Sequence, residues 1–299
     1  MQARSFTYHY NASALGLGGV LKQPNGAVTM IPSLASVALA PTGGEGVNEI
    51  SNYDKDGISF SNARGCVIGS DSEYRTFTTR SDVSISDLSL FGRLQVALLQ
   101  TTISSTRDVL DGGDIERESD PDNTRFSMHA KIRGLTIDGV EVVPEFDLDL
   151  FECRTYEQFT SRIGGDSAGT YAQQFGVERT ELESVLAAKA QPIRASFVSA
   201  LQHEPTDRFG PRRGFKLPVK NFGNVYFGEL VLKPGRRRVN LLRIDFDSTL
   251  GLQESTRAAM GTMLAGAMAS MSPTTTSTSP AGGSMTLGSQ DSNGSPSWP

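Results

Sequence analysis

Short runs in which apolar and polar residues alternate recur along this chain, and glycine steps between them turn it back. The clearest runs are GISFSNARGCVIG (57–69), DVSISDLSLFG (82–92), KIRGLTIDG (131–139), PIRASFVSA (192–200), VYFGELVLK (225–233) and RRVNLLRIDF (237–246). A period of two puts apolar side chains on one face only, which is how a half-buried strand reads. Turn chemistry stands at Lys55-Asp56-Gly57, Asp138-Gly139 and Lys233-Pro234-Gly235. Runs joined by short turns, not by helices, predict a mainly β fold: an antiparallel β-sandwich or distorted barrel.

One segment breaks the pattern. VERTELESVLAAKA, residues 177–190, places Thr180 and Glu183 at capping-box spacing and Leu182, Val185, Leu186 and Lys189 on one flank. It predicts one helix packed against the sheet. With 299 residues, 37% of them hydrophobic, the chain has the material for a sizeable core, and residues 1–250 are expected to form one β-rich domain. Residues 251–271, rich in alanine and methionine, are expected to form a short weak helix. Residues 272–299, rich in Ser, Thr, Pro and Gly, are expected to be a disordered tail. The acidic stretch from Asp108 to Arg125 reads as a surface loop; Asp111, Asp114 and Glu116 lack the glycine and distal glutamate of an EF-hand.

The last two runs form the most convincing hairpin. Strict alternation puts Val225, Phe227, Glu229 and Val231 on one side and Tyr226, Leu230 and Leu232 on the other. In the return strand it separates Val239, Leu241, Arg243 and Asp245 from Leu242, Ile244 and Phe246. VSISDLSLFGRLQV (83–96) is echoed by AKIRGLTIDGVEVV (130–143) at a constant offset: Ile85 with Ile132, Leu88 with Leu135, Leu90 with Ile137, Gly92 with Gly139. Both read as strand, glycine turn, strand, a duplicated sheet element.

Chemistry is harder to find. In PEFDLDLF an extended chain sets Phe146, Leu148 and Leu150 against Glu145, Asp147 and Asp149. The three acids are candidates for a two-carboxylate glycoside hydrolase, which needs one carboxyl held protonated, and equally for a solvated strand face. There are three histidines, His9, His129 and His203, with no metal-ligand spacing, and the many serines make chance combinations with them easy, so neither a metal nor a triad is predicted. GLGG and TGGEG lack a P-loop lysine and a strand-to-helix switch, so no cofactor follows. Cys66 and Cys153 read as two ordinary thiols. Arg212, Arg213, Arg236, Arg237 and Arg238 are the dense positive groups and the candidate binding residues. Nucleic acid is not the expected partner of a chain with net charge -5.

From FTYHYNASALGLGG through SFSNARGCVIG to VYFGELVLKPGRRRVNLLRIDF, over about Thr7 to Leu250, the chain resembles uncharacterised bacterial β-rich proteins without signal peptides. The resemblance implies no activity and no site residues. No secretory core follows the N-terminus and no apolar run is long enough to span a membrane, so a cytoplasmic protein is expected. Two functions compete: a non-enzymatic binding or self-assembly module that pairs with itself or another protein through sheet edges, and a β-rich hydrolase acting on carbohydrate through strand carboxylates.

Overall fold

A computed structural model describes residues 7–22, 28–72, 76–108, 124–188, 192–247 and 284–297. Two antiparallel sheets pack face to face without closing into a barrel. The chain opens with β1 (Thr7–Lys22) and β2 (Val28–Ala38) and crosses to β3 (Gly44–Lys55), β4 (Ile58–Asp71), β5 (Thr76–Leu90) and β6 (Leu94–Asp108). It continues through β7 (Thr124–Arg133), β8 (Thr136–Ile137) and β9 (Val140–Phe146). Four short helices follow: α1 (Leu148–Glu152), α2 (Tyr156–Ile163), α3 (Ala168–Phe175) and α4 (Arg179–Ala187). Then come β10 (Ile193–Ser196), β11 (Val198–His203), β12 (Lys216–Val219), β13 (Gly223–Lys233), β14 (Arg236–Phe246) and β15 (Ser284–Ser297).

One sheet runs β10-β13-β14-β15-β1-β2, with β12 also on β13; the other runs β11-β9-β8-β6-β5-β4-β3, with β7 also on β6. β1 and β15 lie across β4, β5 and β6. The core is the layer between them, including Leu17, Ile85, Leu99, Phe227 and Leu242, all fully buried.

Strict alternation fails once in each long strand, along one line across each sheet. Inward residues follow a spacing of two except at one step of three: Phe60 to Ala63, Ile85 to Leu88 and Val96 to Leu99 in one sheet, Ala14 to Leu17, Phe227 to Leu230 and Val239 to Leu242 in the other. Strand pairing keeps its register through these steps in β4–β5, β5–β6 and β13–β14. Positive φ marks the line at Asn52, Asp87, Ala35 and Gly228. Because neighbours shift together, pairing is preserved and both sheets keep their apolar residues inside. This corrects the faces expected for the last hairpin: Val225 and Phe227 share the core with Leu230 and Leu232, not with Glu229.

The two echoed stretches carry the same backbone. Asp87 and Gly134 have positive φ, and so do both central residues of the turns Phe91-Gly92 and Asp138-Gly139, the type I′ pattern. The two turns touch: Arg93 donates to both carboxylate oxygens of Asp138 at 2.7 Å.

Two further expectations differ from the structure. The one helix expected, at 177–190, is α4, the last of four consecutive helices; it begins at Arg179 with no side-chain cap, so the Thr180–Glu183 box does not form and Glu183 pairs with Arg179 instead; Lys189 lies outside the described residues. Over Ser284–Ser297 the expected tail is a strand seated between β14 and β1. Of its described polar residues, Gln290 is buried and donates to the Thr101 carbonyl of β6 at 2.8 Å. The acidic loop at 109–123 and residues 251–283 lie outside the described residues.

Candidate functional site

The acids that motivated a hydrolase are not on one strand. Extended chain ends at Phe146. Asp147 is the N-cap of α1, accepting from the Leu150 amide at 3.3 Å, and Asp149 lies in the first helical turn. Leu148 is 68% exposed while Leu150 is fully buried, so period two fails here, and an Asp followed by a helical turn is the physical reason. Each carboxylate has a different partner: Glu145 accepts from Gln202, Asp147 from Gln174, and Asp149 pairs with Arg162 in solvent. Among the described residues, no group of three or more His, Cys, Asp or Glu is placed to hold a metal ion.

The arginines separate. Arg236 and Arg238 are exposed, but Arg237 is 1% exposed, which removes it from any binding surface. It points inward, stacks over Phe126 at 4.5 Å and donates to the carbonyls of Cys153 and Thr155 at 3.0 and 3.3 Å. Burial pulls its pKa down to about 10. Alternation along β14 is the cause: a charge next to a turn still falls on the inward face at every second position.

Arg212 has a different setting. The chain changes sheets at Phe197, between β10 and β11. The Ser196 hydroxyl fixes this corner by donating to the Phe227 carbonyl at 2.9 Å and accepting from the Val198 amide at 3.0 Å. Beside the corner lies a cavity of about 480 Å³, lined by Thr170, Gln173 and Gln174 of α3, Ser199 of β11, and Arg212 and Gly214. The three α3 residues share a face by their i, i+3, i+4 spacing, opposite a buried face of Ala168, Tyr171, Ala172 and Phe175. The Arg212 loop lies against the end of α3 through two glycines: a Cβ on Gly214 would stand 2.4 Å from the Gly176 nitrogen.

Of the sequence candidates, Arg212 lines this cavity, and the residues beside it hydrogen-bond to the segment that carries Glu145 and Asp147. Gln174 donates to the Asp147 carboxylate at 3.2 Å and to the Ser196 carbonyl at 3.0 Å; Ser199 donates to the Glu145 carbonyl at 3.3 Å. Arg212 donates from Nη2 to the Ser199 carbonyl at 2.9 Å and from Nε to the Gly214 carbonyl. Burial lowers its pKa, and no acid contributes to the shift. Arg213 is exposed and tied through its backbone to Lys216. The glutamines and Thr170 were missed in the sequence, although AGTYAQQFG carries the spacing of an amphipathic helix ending in glycine.

Fold and cavity together define a two-sheet antiparallel β-sandwich with a polar corner pocket. A family model described as a domain of unknown function, DUF8256, matches residues 6–196, and the chain belongs to that family. The match ends at the corner, so β11–β15, Ser199 and Arg212 lie beyond it. No curated protein and no solved structure matches the chain. Among the described residues no helix is long and apolar enough to cross a membrane.

Proposed function

We propose that this protein is a non-enzymatic binding and self-assembly module, in which β15 of one copy fills the slot between β14 and β1 of another. The observation that carries the reading is the connection between β14 and β15. These strands are antiparallel neighbours with Asp245 opposite Ser284, a junction that a hairpin loop of about two to five residues closes. The chain instead runs through 248–283 between them. A strand on so long a connection reaches a neighbouring molecule's slot as well as its own.

Main-chain pairing runs along both sides of the slot. Among the described side chains of β15, Met285 and Leu287 are buried in it and Gln290 reaches Thr101. Main-chain pairing gives affinity in strand addition. Simple pairing of outer edges is less favoured, since β2 carries Pro32 and β3 carries Glu45, Glu49, Asp54 and Lys55. The proposal places the protein in a bacterial cytoplasm, supported by the resemblance described above and by two buried thiols, Cys66 and Cys153, which are both free.

The test is a cross-strand disulfide. Gly18 lies opposite Thr286, and a Cβ at Gly18 has its nearest neighbour at 3.5 Å, so a side chain fits. Gly18→Cys combined with Thr286→Cys, oxidised at rising protein concentration, is expected to give covalent dimers on a non-reducing gel and a matching mass by light scattering. Cross-links confined to single chains, with a strict monomer at every concentration, rule the reading out.

A further inference from the structure

The corner pocket holds an unusual charge. Arg212 is half-buried, and among the described residues no carboxylate pairs with it; its two protein hydrogen bonds go to backbone carbonyls. A guanidinium has five N–H donors, so three remain for a partner. A desolvated cation facing only neutral groups is an incomplete arrangement, and an anion in the cavity completes it.

We propose that this cavity binds a small hydroxylated carboxylate of the hexuronate class, its carboxylate on Arg212 and its hydroxyls on the α3 wall. The planar guanidinium fork matches a planar carboxylate in a two-point contact. Thr170, Gln173, Gln174 and Ser199 offer donors and acceptors but no charge, which suits hydroxyls. Gln174 spends its amide N–H groups on Asp147 and Ser196 and leaves its amide oxygen as an acceptor. A phosphate dianion fits less well. The lining contains one cation, and the Asp147 carboxylate stands behind Gln174, so a second negative charge goes uncompensated. The volume of about 480 Å³ admits a single sugar ring with water.

Isothermal titration calorimetry of the full chain at low salt tests this with D-glucuronate, D-glucose and inorganic phosphate as separate titrants. Glucuronate is expected to bind saturably at one site, with glucose and phosphate each at least about tenfold weaker. Arg212→Gln is expected to weaken glucuronate by about tenfold or more. Because Arg212 also holds its own loop, a second variant guards the result. Gln173→Glu is a near-isosteric change at an exposed helix position that puts a rival carboxylate on the pocket wall. It is expected to abolish glucuronate binding with the thermal midpoint unchanged. The proposal is overturned by no saturable glucuronate binding to the parent protein, by phosphate binding more tightly than glucuronate, or by undiminished binding in Gln173→Glu. Disulfide capture of β15 involves none of these residues, so the two readings fail separately.

Discussion

Arg237 shows how much one side chain depends on its position along a strand. Its neighbours Arg236 and Arg238 are solvated, while its own guanidinium stacks on Phe126 and ties the end of α1 and the cap of α2 to β14. Hydrogen bonds from a charged donor to buried carbonyls contribute about 1.5–3 kcal/mol each at most, offset by the cost of desolvating the charge. Arg237→Ala is therefore expected to destabilise the fold by roughly 2–4 kcal/mol in urea unfolding. Arg237→Lys should recover less than half of that, because one ammonium does not reproduce the fork. An equal stability for Arg237→Ala and the parent would show that the helical segment is held by other contacts.

At the scale of elements, the line where alternation shifts in the sheet of β13 and the corner at Phe197 meet at Gly228. It has φ +59°, its carbonyl accepts from the Phe197 amide at 3.1 Å, and an added Cβ would stand 2.8 Å from the Phe197 ring and 2.9 Å from Val198. Gly228→Ala is expected to cost about 2–3 kcal/mol, from backbone strain and overpacking together. A change below about 0.5 kcal/mol in chemical denaturation would contradict that account. The strands themselves were readable: every run quoted above falls on a strand or a strand pair. The shift in alternation was written less openly, as a spacing of two, three, two in Val83, Ile85, Leu88 and Leu90, because a single step of three is lost in an average over alternation. The helices α2 and α3 had local signals too. Thr155 and Gln158 form the capping box that Thr180 and Glu183 do not, and Tyr156, Phe159 and Ile163 form its buried stripe. Segments of eight residues are too short to announce themselves by periodicity against so strong a strand background.

Over the whole molecule, the two sheets are clamped at one end by Tyr8 of β1 stacked on Phe77 of β5, with ring centroids 4.2 Å apart. Burial, partly countered by Arg107, pushes the Tyr8 phenol from 10.0 up to about 12. A folded value above the unfolded one means that this residue's contribution is fully present below pH 10 and is lost as pH rises from 10 toward 12, at about 1.4 kcal/mol per pH unit. Tyr8→Phe keeps the stack and removes the ionisation, so its urea midpoint is expected to fall less than the parent's between about pH 9 and pH 11. Parallel losses in the two proteins would exclude Tyr8 as the source. By itself the sequence determined the strand-rich class, the glycine turns and the positions of most strands, because alternation and positive φ are local demands that a residue and its neighbours satisfy. Only the tertiary structure decided three things: that polar β15 closes a sheet between β14 and β1, that Arg237 is internal, and that Arg212 meets α3 at the corner. Each depends on surroundings supplied by distant segments, such as the Thr101 carbonyl for Gln290, the Phe126 ring for Arg237 and the Gly176–Gly214 approach for the pocket.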